Sequence, residues 1–179
     1  MKIQQYQQEA KRTLPILGED IDRQHMVAGV VGEIGELMDA YKRHIAYGKE
    51  LDRINVLEEI GDTFWYICGW ATIRGYTYSN VDVPIYTGIY EIQDVEMDVY
   101  VPITPIDILF RFSVLMHFGE YQNLLNMWWD TAKCLGFSDE EIEGALDKNI
   151  NKLKVRHPEK FTEENALNRN LEKEREMLT

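Results

Sequence analysis

Two pairs of acidic residues in consecutive segments of the chain have a spacing suited to metal binding. Glu33 and Glu36 lie in GVVGEIGELMDA, and Glu59 and Asp62 lie in LEEIGDTFW. Carboxylates three positions apart project from one side of a helix, and two antiparallel helices joined by a short loop can bring two such pairs face to face. Converging carboxylates repel one another unless a cation lies between them, and Mg²⁺ prefers oxygen ligands while keeping waters that phosphates can replace. The pairs therefore indicate a Mg²⁺ or Mn²⁺ site and phosphate chemistry.

The alternative is that these carboxylates belong to an ordinary solvated surface. Acidic pairs with the same spacing recur at Glu19–Asp22, Glu36–Asp39, Glu91–Asp94 and Glu140–Glu143. A helical wheel also places Glu59 and Asp62 away from the strongest apolar arc of their helix. Favouring the metal site, both pairs lie in strongly apolar segments beside Gly32, Gly35 and Gly61. Because glycine inside a helix costs about 1 kcal/mol relative to alanine, these glycines predict that other parts of the chain approach closely there.

Hydrophobic periodicity predicts an all-α fold, a helical bundle of about four core helices in a single domain over residues 1–179. Helices are predicted near 2–12, 23–46, 51–74, 106–134 and 138–157. Gly48 and Gly136 are natural helix stops, and the short links they form favour antiparallel packing. The helix over 51–74 is apolar on most sides after Asp62, so we expect it to be buried in the bundle or in an interface. Ser138 and Glu141 have the spacing of a capping box.

Two segments stand apart from this helical pattern. Residues about 76–105 are rich in Tyr, Val, Ile, Asp and Pro, which predicts an inserted loop or small β-hairpin. The helix after it is predicted to bend near Gly119. The charged tail over about 162–179 is predicted to be helical and to pack weakly through Leu167, Leu171 and Leu178.

Composition limits the classes of function. The chain has 179 residues, 45% of them hydrophobic, and a net charge of −12, which suits one domain with a core and disfavours a broad basic face for a nucleic-acid polymer. No apolar run reaches the ~18 residues of a membrane span, and the N-terminus has no signal-peptide pattern. Cys68 and Cys134 lie in apolar contexts, so we expect buried, reduced thiols in a cytoplasmic protein.

The sequence segments around the acidic pairs resemble those of a known protein family. GEIGELMDAYKRHIAYGK followed by LEEIGDTFWYICGWA resembles the MazG-like family of all-α nucleoside triphosphate pyrophosphohydrolases, whose hallmark is ExxE on one helix and ExxD on the next. QYQQEAKRT, HMVAGVVGE and NINKLKVRHPEKFTEENALNR resemble the leading segment of that family, the lead-in to its first acidic pair and its closing segment. The resemblance covers most of the chain except about 76–133, where the insert and an additional long helix depart from the family.

The resemblance implies a function. An NTP or dNTP would be cleaved between its α and β phosphates to give the monophosphate and pyrophosphate. Mg²⁺, or Mn²⁺ in its place, would be held by Glu33, Glu36, Glu59 and Asp62 and would organise the attacking water. One of these glutamates, or the neighbouring Glu58, would orient that water as base. The family also implies a homodimer or homotetramer, and the apolar helix over 51–74 independently suggests a homodimer at least.

Several other residues have both a functional and an ordinary interpretation. Asn149, Lys152 and Arg156 follow one flank of an apolar stripe, where they form either a polar border or a phosphate and sugar grip. The resemblance to the closing segment of the family favours the grip. Lys42 could reach phosphates from the end of its helix or lie on a solvated face. Trp65 could stack on a base or pack in the core.

Other catalytic classes lack their motifs. Asp22 rather than Glu precedes His25 by three residues, which argues against a ferritin-like di-iron site. The sequence contains no His-Asp dipeptide, CxxC pair, P-loop or GxSxG motif. Two alternatives stay open: a related hydrolase that also acts on nucleoside diphosphates, and a non-catalytic helical interaction module.

Overall fold

The fold is all-helical in the part of the chain that the structure describes. The computed structural model describes residues 1–78, 104–106, 109 and 121–177, and these contain no β-strand. The helices with described bounds are α1 (Ile3–Lys11), α2 (Glu19–Tyr47), α3 (Arg53–Ile73), α4 (Tyr121–Cys134), α5 (Asp139–Arg156), α6 (Glu163–Leu167) and α7 (Leu171–Glu176). The predicted all-α class is confirmed for these residues. Most of the predicted insert and the predicted bend near Gly119 lie outside them.

Helices α2 and α3 form the antiparallel hairpin predicted from the sequence. Gly48 ends α2 in the left-handed region, at φ +62°, where glycine has no Cβ to strain the backbone. The Asp52 side chain caps α3 by accepting a hydrogen bond from the backbone N–H of Asn55 at 3.1 Å. Along the hairpin, Gly29 lies against Tyr66, and a Cβ there would stand 2.1 Å from the ring. Close helix approach is therefore required at Gly29.

Close approach is found at only one of the three glycines expected to allow it. A Cβ on Gly61 would lie 3.2 Å from the backbone oxygen of Ala145, so α3 and α5 are tightly apposed there. At Gly32 and Gly35 a Cβ would meet no described atom within 4 Å, because both lie on the outward face of α2. The prediction is wrong for these two.

Helix α3 is the central element of the bundle. It packs against α1, α2, α4 and α5, and its fully buried apolar side chains include Ile60, Phe64 and Cys68. Trp128 of α4 is also fully buried and donates a hydrogen bond from Nε1 to the Ile60 backbone oxygen at 3.2 Å. The apolar character of α3 is therefore explained by burial within the bundle of one protomer, which was one of the two predicted alternatives.

The predicted start of α5 is confirmed at the level of its hydrogen bonds. Ser138 Oγ accepts from the N–H of Glu141 at 3.2 Å, and Glu141 Oε2 accepts from the N–H of Ser138 at 2.8 Å. Both bonds of the capping box are present. At the other end, α5 stops at Arg156, two residues before Pro158, as proline geometry requires.

Two expectations about packing are wrong. Leu167 and Leu171 are 83% and 63% exposed, so the tail does not pack through its described leucines and instead buries Glu174. Cys134 is exposed while Cys68 is buried, because Cys134 is the last residue of α4. Among the described helices, none combines the length and the apolar character needed to cross a membrane.

Candidate metal centre

Three of the four predicted metal ligands converge at the hairpin of α2 and α3. Glu33 comes from α2, and Glu59 and Asp62 come from α3. One carboxylate oxygen from each lies within 4.8 Å of the others. Glu59 is only 6% exposed, so the alternative of a solvated surface does not hold for it. This is an all-oxygen donor set of the kind that hard divalent cations prefer.

The remaining predicted acids border the same space. Glu36 and Glu58 line a cavity of about 380 Å³ together with the three converging acids. Glu36 is exposed and does not belong to the tight group of three. Its charge nevertheless helps to raise the pKa of Glu33 and of Glu59. The cavity is of a size that accepts a small ligand.

Burial and electrostatic repulsion raise the pKa values of two carboxyl groups in the cluster. Burial raises the pKa of both Glu33 and Glu59, and the negative charges of Asp62 and Glu36 raise them further. A hydrogen bond joins the Glu33 and Glu59 side chains. Two carboxylates this close are stabilised either by a shared proton or by a cation between them. The cluster therefore holds a proton or could hold a cation in its place.

Asp62 is held in place by a chain of buried hydrogen bonds. Asn149 Nδ2 donates to Asp62 Oδ1 at 2.5 Å, and Tyr6 Oη donates to Asn149 Oδ1 at 2.8 Å. The tyrosine hydroxyl also lies 3.2 Å from the Gly61 backbone oxygen. Tyr6 and Asn149 are 0% and 2% exposed. Asn149 thus orients a carboxylate of the acidic cluster.

Lys152 has a different position from the one expected of a phosphate grip. Its side chain is only 2% exposed, and Nζ lies 2.5 Å from Asp62 Oδ2 and 3.1 Å from Glu58 Oε1. Burial lowers the pKa of Lys152, but the charges of these two carboxylates outweigh burial and raise it. Lys152 is not among the residues that line the acidic cavity. It is a fixed counter-cation behind Asp62 and Glu58.

Asp62 keeps capacity for a cation despite these bonds. Its Oδ1 accepts from Asn149 and Lys152, and its Oδ2 accepts from Lys152. Since two carboxylate oxygens offer about four lone-pair sites, one site on Oδ2 remains. The described hydrogen bonds hold the Asp62 carboxylate in place without occupying all of its lone-pair sites.

Positive charge lies elsewhere on the wall of the same cavity. Arg156 and Arg169 both line it, and both make ion pairs with Glu174 of α7. Lys42 does not line this cavity. It is 54% exposed and pairs with Asp39, and it lies six residues beyond Glu36, about 9 Å along the helix. The cavity therefore has an acidic part and a basic part.

An aromatic wall completes the cavity. Trp65 and Tyr66 line it together with His25, His157 and Phe161. Trp65 is 9% exposed and donates from Nε1 to Thr13 Oγ1 at 2.9 Å, so its ring serves mainly as core. Tyr66 is half-buried, and burial followed by the nearby acids raises its pKa to about 12. It stays a neutral hydrogen-bonding group at physiological pH.

Sequence reasoning missed three residues that shape this site. Tyr6 lies within QYQQEAKRT and Arg169 ends NINKLKVRHPEKFTEENALNR, so both fall in segments that carry the family resemblance. Their place in these segments pointed to both residues, although the resemblance assigned no role to either one. Glu174 lies in the charged tail, and nothing in its local sequence separates it from Glu172 or Glu176.

Comparison of the chain with protein-family models, with curated proteins and with solved structures finds no match. The functional assignment therefore rests on the residues themselves and on the geometry of the cavity.

Proposed function

We propose that the protein is a Mg²⁺-dependent nucleotide pyrophosphohydrolase that cleaves an NTP or dNTP between the α and β phosphates. The observation that carries the proposal is the convergence of Glu33, Glu59 and Asp62 in a cavity that arginines also line. A polyphosphate needs cations, and this cavity offers a cation site and guanidinium groups together. The resemblance to the MazG-like family supports the same reaction.

The residues present fit a hard divalent cation. The donors are carboxylate oxygens alone, and burial together with the charges of neighbouring acids raises the pKa of Glu33 and of Glu59. Glu33, Glu36, Glu59 and Asp62 would hold Mg²⁺, and Mn²⁺ would substitute because it accepts the same ligands. When bound, the ion would supply charge neutralisation of the phosphates and acidify a coordinated water.

The chain's own residues position the reactants around that site. Asn149 and Lys152 hold the Asp62 carboxylate, and Lys152 also fixes Glu58 at the cavity wall. Either Glu58 or an acid of the cluster would accept the proton of the attacking water. Arg156 would bind phosphate oxygens, since its guanidinium group matches their geometry. Tyr66 would contact the base through its half-buried ring.

A nucleotide panel tests the proposal. Purified protein is incubated with each NTP and dNTP, dUTP included, and with the corresponding nucleoside diphosphates. Each reaction is run with Mg²⁺ and separately with EDTA, and pyrophosphate and orthophosphate are measured. We expect pyrophosphate only in the presence of Mg²⁺, and none from Glu59→Gln. Orthophosphate release from nucleoside diphosphates would identify the related hydrolase. Absence of any product from the wild type across the panel would reject the enzyme and favour the interaction module.

A further inference from the structure

The C-terminal segment folds back on α5 through one carboxylate that two arginines share. Arg156 donates from Nε to Glu174 Oε1 at 3.0 Å and from Nη2 to Oε2 at 2.6 Å. Arg169 donates from Nη2 to the same Oε2 at 2.8 Å and from Nε at 3.3 Å. The Glu174 side chain is only 4% exposed. One buried carboxylate therefore fixes two guanidinium groups from different parts of the chain.

Arg156, Arg169 and Glu174 together carry a net positive charge. Two guanidinium groups face one carboxylate, and both belong to the wall of the acidic cavity. Burial alone would raise the pKa of Glu174, but the hydrogen bonds from Arg156 and Arg169 lower it to about 2. Glu174 therefore stays ionised under all physiological conditions, and a net charge of about +1 remains at this wall.

Donors for a ligand also remain. The hydrogen bonds to Glu174 use Nε and Nη2 of each arginine. Among the described residues, no hydrogen bond engages Nη1 of either one, so each keeps a terminal N–H group. The Arg169 side chain is 43% exposed and that of Arg156 is 18% exposed. Arg156 and Arg169 can therefore each bind an anion through Nη1 while they keep their hydrogen bonds to Glu174.

We infer that Arg169 is a second anion-binding residue and that Glu174 is a positioning residue that holds Arg156 and Arg169 as one site for the non-reacting phosphates of the substrate. The site serves the proposed hydrolysis and so rests on that function. A ligand with adjacent phosphates fits best, because two guanidinium groups tied to one carboxylate present neighbouring forks to it. A monophosphate product would meet only part of the site, which favours its release.

The same ion pairs position the tail. The two described leucines of α6 and α7 are 83% and 63% exposed, whereas Glu174 is buried. Helices α5 and α7 contact each other, and the ion pair between Arg156 and Glu174 joins them. Since apolar burial contributes little there, loss of the Glu174 charge releases both Arg169 and the helix that carries Glu174.

Binding of inorganic triphosphate without metal tests the inference independently of turnover. Calorimetry at low salt in EDTA compares the wild-type full chain with Arg169→Ala and Glu174→Gln. The matched controls are Arg175→Ala and Glu172→Gln, which change exposed residues of α7, the helix that carries Glu174. We expect Arg169→Ala to weaken binding about tenfold or more, the scale of a hydrogen bond between charged groups. Glu174→Gln should weaken it several-fold through loss of positioning, and Arg169→Lys should restore part of the affinity.

A second readout separates this site from the metal centre. Mg²⁺ should stabilise Arg169→Ala and Glu174→Gln against heat as much as it stabilises wild type, which also shows that both variants are folded. In turnover, Arg169→Ala should raise KM more than it lowers kcat. Equal triphosphate affinity for Arg169→Ala and Arg175→Ala would overturn the role of Arg169.

The remaining outcomes are equally decisive. Triphosphate binding by Glu174→Gln that equals or exceeds wild type would overturn the positioning role, since the carboxylate would then compete with the anion. Failure of the wild type to bind triphosphate with or without Mg²⁺ would overturn the whole site. If binding depends on Arg169 but no nucleotide is hydrolysed, the proposed reaction fails and the anion site stands.

Discussion

Lys152 Nζ lies 2.5 Å from Asp62 Oδ2, and its side chain is 2% exposed. A buried ammonium therefore sits against one of the carboxylates that we propose as metal ligands. Lys152 Nζ also contacts a second carboxylate, Glu58, whose Oε1 lies 3.1 Å away. Lys152 offsets part of the repulsion that the converging acids create, whether or not a metal is bound.

Replacement of Lys152 should cost stability that a metal partly restores. Lys152→Met leaves Asp62 and Glu58 without their buried partner. We expect the free energy of unfolding in EDTA to fall by about 2–3 kcal/mol, between the effects known for exposed and for fully buried ion pairs. Denaturant titration with and without Mg²⁺ measures this. Lys154→Met, at an exposed position of the same helix, should change little, and an equal loss in both variants would contradict the buried counter-cation role.

The carboxylate cluster should account for stabilisation by Mg²⁺. Glu33→Gln, Glu36→Gln, Glu59→Gln and Asp62→Asn should each lower kcat/KM by about two decades or more, about 2.7 kcal/mol of lost transition-state stabilisation, and leave the helical circular dichroism intact. Thermal melts across a Mg²⁺ titration should show a smaller gain in Tm than for wild type. Glu140→Gln, at an exposed position of α5, is the control. Equal stabilisation of wild type and the quadruple variant would exclude the cluster as the metal site.

Metal-free stability should fall as pH rises. The pKa values of Glu33 and Glu59 are raised from the ordinary 4.5, so above that pH the folded protein retains protons that the unfolded chain releases. Burial and the neighbouring acids raise the pKa of Glu33 to about 7 and that of Glu59 to about 9, so the free energy of unfolding in EDTA should decrease as the pH rises from 4.5 to about 9. Glu59→Gln should flatten this slope and gain on the order of 1 kcal/mol at the upper end, the scale of one pKa unit. A wild-type slope that Glu59→Gln leaves unchanged would show that other groups cause it.

The Tyr6 hydroxyl should matter for both stability and metal affinity. Tyr6→Phe keeps the buried ring but removes the donor to Asn149 and so leaves the Asn149 oxygen without that partner. We expect a loss of about 1 kcal/mol and weaker Mg²⁺ binding, because the amide that orients Asp62 is no longer fixed. Tyr47→Phe, at a position that is 69% exposed, should behave as wild type in both measurements.

Self-association would need a surface other than α3, the helix from which it was predicted. Helix α3 is covered within the protomer, so its apolar character no longer supports a homodimer or homotetramer. The outward face of α2 carries Val31, which is 51% exposed, beside Gly32 and Gly35, where a Cβ would meet no described atom within 4 Å. We propose that a homodimer forms there, where small residues permit close helix packing. Sedimentation should show a dimer for wild type and a monomer for Val31→Asp, whereas a wild-type monomer at micromolar concentration would exclude assembly.

Local sequence patterns determined the helices and the main outline of the site. The capping box of Ser138 and the stop at Gly48 depend on neighbours within a few residues, so the sequence predicts them directly. The pairing of Glu33 with Glu59 and Asp62 was also predictable. A short link makes α2 and α3 run antiparallel, which allows acidic residues on the two helices to face one another.

Tertiary structure alone decided which partners the long polar side chains take. Lys152, Arg156 and Asn149 occupy one flank of α5, yet their partners differ. Lys152 contacts Asp62 and Glu58, and Arg156 contacts Glu174. Asn149 bonds to Asp62 and to Tyr6, which lies 143 positions away from it in the chain. Residue type limits these side chains to charged or polar partners but does not choose among the many acids in this chain. Burial makes the choice, because a charge removed from water is stable only where the packed fold supplies its counter-charge.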